Sequence, residues 1–67
     1  MNNIYYLIDR SDPEFWNIEV FDDLVSALSF KDFIDSDKVT VTANKMEVIR
    51  LELYCKIHKI IYRVGRE

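Results

Sequence analysis

The chain has 67 residues, 49% hydrophobic and 13% aromatic, with one glycine, one proline, one cysteine and a formal net charge of −3. One domain fits in that length, with a core worth only about 3–5 kcal/mol net, so it must pack densely or lean on a partner chain. The lone Cys55 excludes an internal disulfide, the single late glycine (Gly65) excludes a glycine-rich phosphate loop, and no apolar run is long enough for a membrane span.

Ile4 to Asp9 is β-rich and apolar on both faces, the pattern of a central strand. Ser11-Asp12-Pro13-Glu14 has turn chemistry, with Pro13 presetting the second turn position. Trp16 to Phe21 then alternates, with Trp16, Ile18 and Val20 on one face and Asn17 and Glu19 on the other, which predicts a β-hairpin. Asp22 is the predicted N-cap of a helix running from Asp23 to about Asp35. Leu24 and Leu28 share one face of it, while Ala27, Phe30 and Ile34 follow at helical spacing. The two sets do not merge into one stripe, and Ser29 to Asp32 resembles an internal capping box that allows a kink. Residues 35–38 form a predicted loop. Val39 to Ala43 alternates and is β-branched, a predicted strand, and Asn44-Lys45 suits a tight turn.

Met46 to Val64 supports two patterns. As a strand, Ile49, Leu51, Leu53, Cys55 and Ile57 face one way, and Arg50, Glu52, Tyr54, Lys56 and His58 the other. As a helix, Met46, Ile49, Leu53, Ile57, Ile60 and Val64 form a stripe, with Asn44 and Glu47 as a capping box and Gly65 as the stop. β-branched and aromatic content favours the strand. Fully extended it would reach roughly 60 Å at ~3.3 Å per residue, so it must bend or break near His58-Lys59. The expected fold class is α+β: a single small domain over residues 1–67, an antiparallel sheet of four to five strands with one main helix. Its expected order is β-β-α-β-β, with β-β-α-β-α as the alternative.

Catalytic sets are missing. Cys55 and His58 are the sole nucleophile/base or metal pair, and the simpler reading is a core cysteine beside a solvated histidine. The paired carboxylates match no EF-hand loop and are explained by helix capping and solvation. No enzyme activity, no metal and no cofactor is therefore expected.

Charge is sorted along the chain. Asp9 to Asp37 holds nine carboxylates against Arg10 and Lys31, a formal −7, while Lys38 to Glu67 holds seven bases against three acids, a formal +4. Carboxylates at strand or helix spacing sit about 5–7 Å apart, close to phosphate spacing, and aromatic anchors inside a charged rim supply binding energy. The expected partner-binding residues are Asp12, Glu14, Trp16 and Glu19 at the hairpin, and Asp32, Asp35 and Asp37 at the helix end. Lys56, Lys59, Arg63 and Arg66, interleaved with Tyr54 and Tyr62, form the alternative, a nucleic-acid-binding set. A pI near 5.0 argues against direct nucleic-acid binding. A homodimer in which the acidic segment of one chain meets the basic segment of another is the other alternative. No membrane partner is expected, and a cytoplasmic location fits the free cysteine and the absence of a leader pattern.

At the level of class, the chain resembles the small single-domain inhibitors that phages and mobile elements encode against host or defence proteins, anti-CRISPR proteins and uracil-DNA glycosylase inhibitors among them. The resemblance rests on size, one α+β domain, the acid-rich half from Asp9 to Asp37, few glycines and no catalytic set. It implies a non-enzymatic inhibitor that blocks a nucleic-acid-handling protein.

Overall fold

The two runs flanking Pro13 pair as the hairpin chemistry requires. A computed structural model describes residues 3–65, in the order β1 (Tyr5–Asp12), β2 (Phe15–Phe21), α1 (Leu24–Ile34), β3 (Val39–Thr42), α2 (Lys45–His58) and β4 (Ile61–Val64). β1 runs antiparallel to β2, with Ile8 opposite Ile18, and antiparallel to β3, with Ile8 opposite Thr40. β4 joins the outer edge of β2 in parallel, Ile18 opposite Val64, so the sheet order is β3-β1-β2-β4.

The expected α+β domain is present, with two corrections. The sheet is mixed rather than antiparallel, and the segment from Met46 holds a second helix followed by a short strand. The observed order β-β-α-β-α-β extends the alternative rather than the first choice.

The strand reading failed for a physical reason. α2 carries apolar residues on two opposite sides: Val48, Leu51 and Cys55 face the sheet, while Met46, Ile49, Leu53 and Ile57 are exposed. Merging the two sets gives the false alternation Ile49-Leu51-Leu53-Cys55-Ile57. The helical stripe holds from Met46 to Ile57, where it is the outer face, but Ile60 and Val64 lie beyond α2, Val64 in β4, and Lys59 rather than Gly65 ends the helix. The expected break was correctly placed: His58 ends α2, and Lys59 caps it in the left-handed region at φ 58°.

β1 is apolar on both faces because both are covered. Successive strand residues point to opposite sides. Leu7 packs with Phe21, Ala27 and Val39 under α1, whereas Ile8 packs with Ile18 and Val48 under α2. From β2 the chain steps across the sheet one way through α1 to β3, then back the other way through α2 to β4. Two right-handed crossovers in opposite directions must lie on opposite faces. The result is a thin helix–sheet–helix sandwich.

The caps are local and legible. Asp23, not Asp22, caps α1, accepting from the Val25 and Ser26 backbone N–H groups, and α1 is one continuous helix without the kink the Ser29–Asp32 pattern allowed. Asn44 does not make a tight turn but caps α2, its Oδ1 accepting from Met46 N at 2.9 Å. Asn44→Ala is expected to cost about 1 kcal/mol. Calorimetry should show that as a drop of roughly 4–8 °C in Tm. Lys59→Gly relieves a left-handed backbone and is expected to stabilise by about 0.5–1 kcal/mol, read from the urea midpoint.

Candidate protein-binding surface

Two acidic segments that are distant in sequence meet at one end of the sheet. The turn after β1 is held by Asp9 Oδ1 accepting from Ser11 N and by Asp12 Oδ1 accepting from Glu14 N, both at 2.9 Å. The loop after α1 is tied to it: Arg10 N donates to the Lys38 carbonyl at 3.0 Å, and the Ser11 and Ser36 hydroxyls lie 2.8 Å apart. Asp12 and Glu14 therefore share an exposed edge with Asp35 and Asp37, and Asp32 follows on the last turn of α1. Asp35 itself caps α1 in the left-handed region at φ 54°, a conformation aspartate tolerates.

Two of the expected residues do not join this edge. Trp16 is only 9% exposed; it lies on the α2 side, stacked on Tyr54 at 5.8 Å with Arg10 over its ring, so it is a core aromatic and not a surface anchor. Glu19 is half-buried, with its carboxylate so close to Gly65 that a Cβ there would collide with it. That contact is with the end of a flexible side chain, which can turn aside, so it sets no strict demand for glycine after β4.

Exposed apolar side chains lie on α1 as well as on the outer face of α2. Only Ala27 is fully buried on α1. Val25 is 70% and Phe33 86% exposed, with Leu24, Leu28 and Phe30 also open to solvent. Phe30 packs edge-on between Phe21 and Phe33, which steadies the aromatic row. A helix apolar all round is normally covered all round. Carboxylates rim it: Asp22 and Asp23 at its start, Asp32 and Asp35 at its end, all exposed. The Asp23 carboxyl is held below its ordinary range chiefly by the Ser26 hydroxyl at 2.8 Å; desolvation opposes this, and the Val25 and Ser26 backbone N–H groups add to the lowering. Because its folded value is lowered, its contribution to the cap is present above the carboxylate range and fades only as pH falls through it.

The basic alternative set is scattered. Lys56 and Lys59 are exposed on and just after α2, while Arg63 sits in register with Asn17 on the α1 side of the sheet. Arg66 lies outside the described residues. Tyr54 stacks on Trp16 on one side and lies 4.1 Å from the His58 ring, and Tyr62 packs into the α2-side core, so the tyrosines form no open stacking row. Grooves of about 550 and 460 Å³ share a wall of Arg10, Trp16 and Tyr54, and their other cations are Lys38 and Arg50. Arg10 Nε and Trp16 Nε1 on that wall are buried and find no acceptor among the described residues.

Cys55 and His58 do not converge as a chemical pair: the thiol is buried under α2, and the imidazole packs on Tyr54 at the surface. Among the described residues no three His, Cys, Asp or Glu side chains are grouped to hold a metal, and no helix is long and apolar enough to cross a membrane. Burial, reinforced by the Glu52 charge, pushes the Cys55 thiol above its ordinary 9.0, and burial with Glu52 does the same to Tyr62 above 10.0. Both groups are neutral when folded, so their stabilisation is complete below those values. Above them the unfolded chain ionises first and stability is lost. Urea titrations are expected to show midpoints falling on the alkaline side of 9.0, with a shallower fall for Cys55→Ala. Equal pH slopes for the two proteins would contradict a buried thiol.

Comparison with protein-family models, with curated proteins and with solved structures finds no match to this chain.

Proposed function

We propose that this chain is a non-enzymatic binding protein that blocks a nucleic-acid-handling protein, with α1 as its contact element. The observation that carries this reading is the exposed apolar row on α1, led by Val25 and Phe33, set inside a rim of carboxylates. A basic partner groove with an apolar floor complements both features: charge steers the encounter and fixes register, and buried aromatic contact supplies affinity. Asp12, Glu14, Asp35 and Asp37 extend the negative rim along the hairpin end.

The test is capture of interacting proteins from the cells that make this chain, with and without competing DNA or RNA. A partner held by the native chain, displaced by nucleic acid and lost when Asp32, Asp35 and Asp37 are changed to Asn supports the reading. A partner held equally well by that triple variant, or one indifferent to nucleic acid, overturns it.

A further inference from the structure

Each of the two helix layers leaves an apolar surface uncovered, and the two surfaces carry opposite charge. On α1, Leu24, Val25, Leu28 and Phe33 are 42–86% exposed. On α2, Met46, Ile49, Leu53 and Ile57 are 37–74% exposed at spacings of three and four residues, a continuous stripe directly opposite Val48 and Cys55. Beside the first stripe stand Asp22, Asp23, Asp32 and Asp35 against Lys31 alone. Beside the second stand Lys45, Arg50, Lys56 and Lys59 against Glu47 and the half-buried Glu52.

From this pairing we infer that the occupant of the α2 surface is a second copy of the same chain, seated through its α1 surface. Charge selects that arrangement over its rivals. Two α1 surfaces face to face would set four aspartates against four, and two α2 surfaces would oppose like bases; opposed like charges cost several kcal/mol. Only the α1-on-α2 contact matches acid to base along two apolar ridges. It also removes from water the large side chains that a 67-residue sandwich cannot cover by itself.

Topology adds a consequence. α1 and α2 lie on opposite faces of the sheet, so one contact cannot be reciprocal. Each copy offers its α2 surface to one neighbour and its α1 surface to another. Such a head-to-tail contact makes chains or closed rings, not simple two-fold dimers. The inference goes beyond the proposed function. It draws on the same α1 face, so self-association and partner binding compete, but it is read on the purified protein alone and stands or falls without any partner.

The experiment uses two full-length variants in sedimentation equilibrium. Val25→Lys places an unpaired charge in the α1 surface, and Leu53→Asp does the same in the α2 surface; circular dichroism checks that each is folded. If either fails to fold, Phe33→Lys and Ile57→Asp replace them, both positions being at least 74% exposed. The native protein is expected to grow in size with concentration and to lose association by at least tenfold at high salt, where surface charge is screened. Each variant alone is expected to stay monomeric, and an equal mixture to form a heterodimer and stop there, because each supplies the intact surface the other lacks. A monomeric native protein at all concentrations overturns the inference. So does a Val25→Lys variant that still self-associates, which would assign the contact to paired α2 surfaces, or a mixture that remains monomeric.

Discussion

Ile18→Ala is expected to leave the chain only marginally folded, with a sizeable unfolded fraction already present at 25 °C. Ile18 is 1% exposed at the centre of β2, in register with Ile8 on one side and Val64 on the other, and it packs against Val48 of α2. It therefore ties the hairpin, the parallel edge strand and the second helix at one point. Truncating a buried isoleucine to alanine costs about 2–5 kcal/mol. A domain of this size holds only about 3–5 kcal/mol in total, so the loss consumes most of it. The two-sided architecture sharpens the effect, since each side of the sheet has only a few fully buried side chains and neither can compensate for the other. Trp16 is the sole tryptophan and lies on the same side, so its emission reports the loss directly. Ile18→Val, with an expected cost of about 0.5–1.5 kcal/mol, should remain folded. An Ile18→Ala protein that keeps a cooperative transition within 1 kcal/mol of native would mean that the α2 side contributes little to the core.

Phe33→Ser is expected to weaken partner binding by at least about 30-fold while leaving the fold intact. Phe33 is 86% exposed, and its one aromatic neighbour is Phe30. Removing it should shift Tm little, because a side chain in water adds almost nothing to the core. Buried aromatic anchors at interfaces are worth 2 kcal/mol or more, which converts to that loss of affinity. Val25→Ser should act in the same direction. Surface plasmon resonance against the captured partner gives the affinity, and calorimetry gives the stability. A variant that binds as the native chain does, at unchanged Tm, would move the contact away from α1.

Much of the fold was legible locally. The hairpin, α1, the loop at 35–38 and β3 follow from alternation, capping and turn residues, which act over a few positions. The failures were non-local. The same sheet-facing and outward residues of α2 that make it a helix with two apolar sides look, in one dimension, like a strand; only the position of the sheet separates Leu51 and Cys55 from Leu53 and Ile57. Parallel pairing of β4 with β2 depends on the length and direction of a whole helical crossover. For the candidate surface, the grouping of Asp12 and Glu14 with Asp35 and Asp37 depends on Ser11 at the end of β1 meeting Ser36 in the loop after α1, which no local pattern encodes. The burial of Trp16 is not legible locally, because alternation says which residues share a side and not which side a later helix will cover.

The strand order has a consequence for how the sheet is put together. β1 and β2 meet across a tight turn and need little chain entropy to do so, whereas β4 must return to β2 after two helices and another strand. Until it does, the Phe15 to Ile18 stretch of β2 is a bare edge with its backbone donors and acceptors open. Docking of Ile61–Val64, sealed by Gly65 N donating to the Ile18 carbonyl at 2.7 Å, converts that edge into an interior strand. The last four-residue strand thus acts less as support than as a latch: whenever it is undocked, the β2 edge is open to pairing with a strand from another molecule.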